Sequence, residues 1–300
     1  MRIAMIGLGD IAQKAYLPLL ACWKNIELVL CSRNEDVVRA LASQYRIAEY
    51  VTDYRELIKK NIDAVTVHSS TESHFELASF FLENKIPVLI DKPIAYYLDE
   101  VKSLISLSKS KKVTFFTAFN RRYIPQYQPL YALESNYVCY KKNRFNLPGE
   151  IRNFVFDDFI HVLDSVLQVN KHIQDPSIHL LQKGNLLQAI NVSWQHDSNI
   201  AIASMNRINA CTEEEFECGS SVEKWRITNL EQVEHYDAEG KKNFLDNGWQ
   251  SNLYKRGFVD MVAAFLGEIQ VGDNLKLLES YLLTHSVAEE IVQYAQKKSS

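Results

Sequence analysis

Two groups of residues in this chain have the types and spacing to handle a proton. The first is Asp91-Lys92-Pro93, which follows the short apolar run Pro87-Val88-Leu89-Ile90. A lysine at the carboxyl end of a parallel strand stands on the edge where open α/β sheets bind ligands. Taken alone it reads as a solvated surface lysine, and its company changes that reading. The second group is Asp157-Asp158-Phe159-Ile160-His161-Val162-Leu163-Asp164. On a helix, Asp157, His161 and Asp164 share one face. A carboxylate that orients an imidazole equips it to exchange a proton near neutral pH. A buried structural Asp/His pair has the same spacing. So does a metal site, which here lacks a second ligand cluster; no metal is expected.

The elements that would position Lys92 come first in the chain. The run Arg2 to Ile6 ends abruptly at Gly7-Leu8-Gly9-Asp10-Ile11-Ala12, and a helical pattern follows. Strand, glycine turn and helix together give G-x-G-x-x-A its meaning as a dinucleotide fingerprint. Gly7 permits the tight turn, Gly9 lets the backbone approach a pyrophosphate, and Ala12 keeps helix and strand close. Amides at the helix start favour the phosphate charge. Pro18 lies inside this helix, which is expected to stop near Lys14 and restart around Pro18.

The second strand, Ile26 to Cys31, ends at Ser32-Arg33-Asn34, where NAD sites usually place a carboxylate for the ribose 2′-hydroxyl. A hydroxyl followed by a guanidinium suits a 2′-phosphate, so NADP(H) is preferred over NAD(H). Asn34 is a candidate cap for a helix over Glu35 to Tyr45. Further strands, at Ala64 to His68, Pro87 to Ile90 and Val113 to Phe119, alternate with helices. That alternation predicts a doubly wound parallel sheet.

After Tyr137 the pattern changes to short strands and turns that match an antiparallel sheet, and two helices close the chain. Lys142 and Arg144 alternate on one strand face, pointing into a cleft or into solvent. Glu213-Glu214-Glu215 reads as a solvated, charged sheet edge.

With 300 residues, two domains are the default expectation. Apolar residues make up 47% and charged residues 23%, which excludes a disordered chain. A net charge of −4 and a pI near 6.1 leave no footprint for nucleic acid. The five scattered cysteines suggest a reducing cytoplasm rather than a disulfide framework. No run of about 18 uncharged apolar residues predicts a membrane span.

Four motifs in register, Gly7 to Ala12, His68-Ser69-Ser70-Thr71-Glu72-Ser73-His74, Asp91-Lys92-Pro93 and Phe119-Asn120-Arg121-Arg122-Tyr123, resemble the Gfo/Idh/MocA oxidoreductases, and within them the MviM-like branch. The resemblance is dense over the first 125 residues or so and thins to islands beyond. It implies an α/β fold: an N-terminal Rossmann domain over 1–120 and an α+β domain over 121–300. The latter would carry a large, open, mostly antiparallel sheet that mediates homodimer or higher homo-oligomer contacts. It also implies that Lys92 lies near the nicotinamide and the substrate hydroxyl, next to a proline whose bond is often cis. By the same likeness Gly7, Leu8, Gly9, Asp10, Ile11, Ser32, Arg33, Ser69, Ser70, His74, Asp91, Lys92 and Asn120 serve the cofactor. Asp157 and His161 match the Asp and His of the family's D-x-G-x-H-x-x-D motif. Phe159 stands in its glycine position and is expected to narrow a pocket.

The expected function is hydride transfer between a nicotinamide and a hydroxyl or carbonyl of a sugar, cyclitol or related polyol. Lys92, Asp157 and His161 are the catalytic candidates, and Arg122, Tyr123 and Lys142 join them as substrate contacts. The alternatives are a non-catalytic dinucleotide-binding sensor or partner protein on the same fold, and a reductase of a non-sugar carbonyl or imine.

Overall fold

The computed structural model describes residues 1–244, 248–271 and 274–299. The chain forms two compact units, Met1–Ala118 with Met261–Leu283, and Phe119–Asp260 with Thr284–Ser300. The chain first passes from one unit to the other after Ala118, but residues 261–283 return to the first unit. Their chemistry explains the return. Phe265 and Tyr281 pack on the ring of Phe116, and Asn274 donates to the Phe115 carbonyl at 2.8 Å.

The first unit holds six parallel strands: β1 Arg2–Ile6, β2 Glu27–Cys31, β3 Glu49–Val51, β4 Ala64–Val67, β5 Val88–Ile90 and β6 Phe115–Thr117. They are ordered β3-β2-β1-β4-β5-β6. The doubly wound order changes direction at β1 and β4, which is where such sheets bind ligands at their carboxyl ends. The strand side chains are almost wholly buried, as expected for a parallel sheet covered on both faces. Asn34 does cap the helix Glu35–Tyr45, accepting from the Val37 amide at 3.1 Å.

A helix does restart around Pro18, at Leu17, but the expected stop near Lys14 does not occur. Residues Ala12–Tyr16 form a π turn, and the Leu17 amide reaches back five residues to the Ala12 carbonyl. Pro18 then sits at the start of the short helix Leu17–Leu20, where its missing donor is harmless. Widening the preceding turn accommodates the ring without stopping the chain.

The second unit is built on nine strands among the described residues: β7 Tyr137–Phe145, β8 Gly149–Glu150, β9 Ser177–Lys183, β10 Leu186–His196, β11 Asn199–Asn209, β12 Glu213–Gly219, β13 Lys224–Thr228, β14 Gln232–Asp237 and β15 Gly240–Phe244. Only β7 and β11 pair in parallel; the other pairings are antiparallel. The helix Ile160–Val169 covers one face through Ile160, Val162, Leu163 and Val166, all buried.

The reading of Glu213-Glu214-Glu215 as an edge is overturned. β12 lies between β7 and β13, and strand alternation turns Glu214 inward while Glu213 and Glu215 face out. Glu214 is tolerated there because Arg121 and Tyr140 donate to it at 2.8 and 3.1 Å. Among the described residues no helix is long and apolar enough to cross a membrane.

Candidate active site

The glycine turn is built as the fingerprint requires. Gly7 has a φ of +84°, and a Cβ there would come within 2.5 Å of the Ser69 amide and 2.6 Å of the His68 carbonyl carbon. No other residue fits between the ends of β1 and β4. At Gly9, by contrast, a Cβ would meet no protein atom within 4 Å. That open space over the helix start is what a pyrophosphate needs, so the residues present fit a dinucleotide. Leu8 is buried, Ile11 is exposed, and Asp10 pairs with Lys14 along the helix at 2.7 Å.

At the end of β2, Ser32 accepts from the Asn34 amide at 3.2 Å, which bends the chain. Arg33 beside it is exposed and forms no ion pair among the described residues.

Lys92 follows β5, and the bond from Lys92 to Pro93 is cis. Its own side chain is half-buried, while both of its neighbours are pinned. On one side Asp91 accepts from the Tyr16 hydroxyl at 2.7 Å and contacts His68 Nδ1 at 3.0 Å. Tyr16 and His68 stack with ring centroids 3.7 Å apart. Burial opposes ionisation of Asp91, but His68 and the Tyr16 hydroxyl outweigh it and hold the carboxyl below its ordinary range. An ionised Asp91 fixes the proton of His68 on Nδ1. Burial, reinforced by Asp91, raises the Tyr16 phenol far above its usual value. On the other side, the Pro93 carbonyl lies 3.0 Å from Nδ1 of His74.

This cluster clarifies four expected cofactor residues. Both carboxylate oxygens of Asp91 serve the scaffold beneath Lys92. His74 is turned inward, 1% exposed, with Nε2 3.2 Å from the Ser69 carbonyl. Burial lowers its pKa below the ordinary histidine value, so the neutral ring carries a single N–H, which only one of the two carbonyls facing it can accept. Ser69 shares a 2.7 Å hydrogen bond with Ser73, while Ser70 remains exposed. Tyr16 was invisible as a partner in the sequence. It stands 75 residues from Asp91, and only the sheet order brings them together.

In the second unit the expected helix face is not regular. Phe154–Phe159 form a π turn that passes into the helix Ile160–Val169. The wider turn changes the angle per residue, and the three groups have different surroundings. Asp157 is exposed and accepts from Asn153 at 3.1 Å. His161 is 8% exposed, and its carbonyl accepts from Ser165 at 2.9 Å. Asp164 is buried in a different environment, where Arg122 Nε lies at 2.9 Å and Thr284 donates at 2.9 Å.

Arg122, expected at the substrate, thus holds Asp164 and lies over the Phe119 ring at 5.0 Å. Phe159 is fully buried in the core. Asn120 donates to the Arg256 carbonyl at 2.8 Å, and Tyr123 is half-buried on the same short turn.

Sequence reasoning missed Asp158 altogether. It is buried, and it receives Lys142 at 2.6 Å and Arg144 at 2.8 and 2.9 Å. Burial would raise its pKa, but Arg144 and Lys142 overcome that and hold it far below the carboxylate range. Burial, with Arg121 adding repulsion, pulls Lys142 down to about 7. The strand face bearing Lys142 and Arg144 is therefore not simply solvated. The signal available in the sequence was the pair of cations two residues apart on β7.

Residues 1–119 match the family described as an oxidoreductase family with an NAD-binding Rossmann fold. A Gfo/Idh/MocA family oxidoreductase from Vibrio cholerae, known as a crystal structure, is 36% identical, with 99% of each chain covered and a TM-score of 0.95. The dehydrogenase MviM of Clostridium difficile is 28% identical, covers 98% of this chain and 99% of its own, and has a TM-score of 0.91. Myo-inositol 2-dehydrogenase of Thermotoga maritima is 34% identical over 131 residues, 43% of this chain and 39% of that one. A nucleotide-binding doubly wound sheet with a lysine turn at its carboxyl edge defines a nicotinamide-dependent oxidoreductase. This chain belongs to the Gfo/Idh/MocA family of oxidoreductases.

Proposed function

We propose that this oxidoreductase interconverts a hydroxyl and a carbonyl on a sugar, cyclitol or related polyol, with NADP(H) preferred over NAD(H). The observation that carries the reading is the clamped lysine turn. Asp91 and Pro93 are each held by a buried histidine, so the backbone that presents Lys92 is fixed before any substrate arrives. Support for the substrate class comes from the myo-inositol 2-dehydrogenase that is similar over the nucleotide-binding half.

The nicotinamide supplies or accepts the hydride when bound. The chain's own residues do the rest. Gly7, Leu8, Gly9, Asp10 and Ile11 form the turn that holds the pyrophosphate, with Ser69, Ser70 and Asn120 as further contacts. Ser32 and Arg33 receive the 2′-phosphate, which suits an exposed guanidinium with forked donors. Lys92 stabilises the developing alkoxide on the substrate oxygen. His161 exchanges the proton and Asp157 orients it, while Tyr123 and Lys142 position the substrate. A homo-oligomer formed through the second unit's sheet belongs to the same reading.

The test is a hydride-transfer assay over neutral and acidic polyols and their ketones, read at the nicotinamide absorbance with each cofactor. Turnover of at least one polyol, with kcat/KM higher for NADP+ than for NAD+, is expected. Arg33→Ala should reduce that preference by about tenfold or more, the worth of a charge-assisted contact. Tight NADPH binding without turnover of any polyol would instead favour a sensor.

A further inference from the structure

The second unit contains a cavity walled by cations. Arg121, Lys142, Arg144 and Arg256 line about 170 Å³, with Glu213 and Glu214 among them. At roughly 30 Å³ per water, that is room for one small polyatomic group. It falls below the roughly 300–1,000 Å³ of pockets that enclose a whole ligand. The charges are unequal. Asp158 is shared by Lys142 and Arg144, while Glu214 receives Arg121 and the Tyr140 hydroxyl. Three cations thus meet two carboxylates, and at the exposed rim Arg256, with Nε bonded to the neutral Asn252 oxygen at 3.1 Å, and Glu213 add one charge of each sign, which leaves one positive charge in excess. Glu213 is engaged by Asn143 at 2.9 Å rather than by a cation.

Burying a charge without its counterpart is unfavourable. Arginine cannot relieve the imbalance by losing a proton; Lys142 can, since burial, with repulsion from Arg121 added, lowers its pKa to about 7.

We propose that this cavity is a subsite for one anionic group, a carboxylate or a phosphate, held by Arg144 and Lys142 with Arg121 and Arg256 at its sides. Its anchor, Asp158, lies one residue after Asp157 and three before His161, so the subsite shares a helical turn with the assigned proton acceptor. The substrate is then an acidic or phosphorylated polyol rather than a neutral one. That last step rests on the proposed reaction; the anion site does not.

Calorimetric titration of the full chain near neutral pH tests it, with inorganic phosphate and acetate as separate probes and two buffers of different ionisation enthalpy. One probe should bind one to one, more weakly as salt rises, with proton uptake as Lys142 becomes charged. Arg144→Gln, at a half-buried position, should weaken that binding about ten- to a hundredfold. Lys141→Gln, which faces the other way toward Glu215, should leave it unchanged. The preferred probe then distinguishes sugar phosphates from sugar acids. Absence of binding by both probes at roughly millimolar concentrations, or binding indifferent to Arg144→Gln, overturns the subsite. Anion binding without turnover of any polyol would uphold the subsite and sink the reaction. Turnover of neutral polyols without anion binding would do the reverse.

Discussion

The carboxylate of Asp91 points into the scaffold beneath the lysine turn. Replacing it with asparagine keeps the shape but removes the charge that fixes the His68 tautomer. Asp91→Asn is expected to loosen the Lys92 turn and lower kcat by up to about a hundredfold, the penalty for a small misplacement of a reacting group. Steady-state kinetics with NADPH affinity measured separately would check this, and unchanged kcat would contradict it. Lys142 makes a second prediction. Its pKa is about 7 in the fold against 10.5 in the open chain. Below pH 7 it is protonated in both states and its contribution is constant. Between about pH 7 and 10.5 the unfolded chain binds a proton that the folded one does not, so stability rises with pH over that window. Lys142→Met should remove that rise, as read from urea unfolding midpoints across the window. Arg121, Arg144, Asp158 and Glu214 surround the group and remain in both proteins. These roles were hidden in the sequence, because Tyr16, His68 and Asp91, or Lys142 and Asp158, meet only through tertiary pairing.

The strands and helices of the first unit were largely readable, because apolar runs, a glycine turn and an Asn cap are local signals. The failures were also local in cause. The stop expected near Lys14 proved to be a π turn that leads straight into the restart around Pro18. The Asp157 to Asp164 stripe assumed 3.6 residues per turn, whereas a second π turn runs through its first residues. The three glutamates looked like an edge because their charge was visible and the partners Arg121 and Tyr140 were not. Gly257 shows how one residue joins elements of the second unit. It follows the helix Asn252–Lys255, has a φ of +77°, and a Cβ there would lie 2.3 Å from the Asn120 carbonyl oxygen. Gly257→Ala must therefore displace the Asn120–Tyr123 turn and is expected to lower stability by about 1–3 kcal/mol or more. Thermal unfolding would detect the loss, and a wild-type midpoint would refute the tight contact.

Composition alone bounded the whole molecule well: 300 residues, ordinary apolar content and no polyanion footprint. What it could not supply is the return of residues 261–283 to the first unit. That return depends on Phe265, Tyr281 and Asn274 finding Phe115 and Phe116 across long stretches of chain. The four motifs identified the family because each is short, local and ordered along the chain. The substrate was not legible, since it depends on the second unit, where the likeness thins and Phe159 replaces the family's glycine. The decisive measurement is the turnover of Lys92→Met on a polyol that the wild type accepts, beside its NADPH affinity by fluorescence. Turnover reduced about a hundred- to ten-thousandfold with near-normal NADPH binding is the predicted result. Near-normal turnover would contradict the assignment of the chemistry to Lys92.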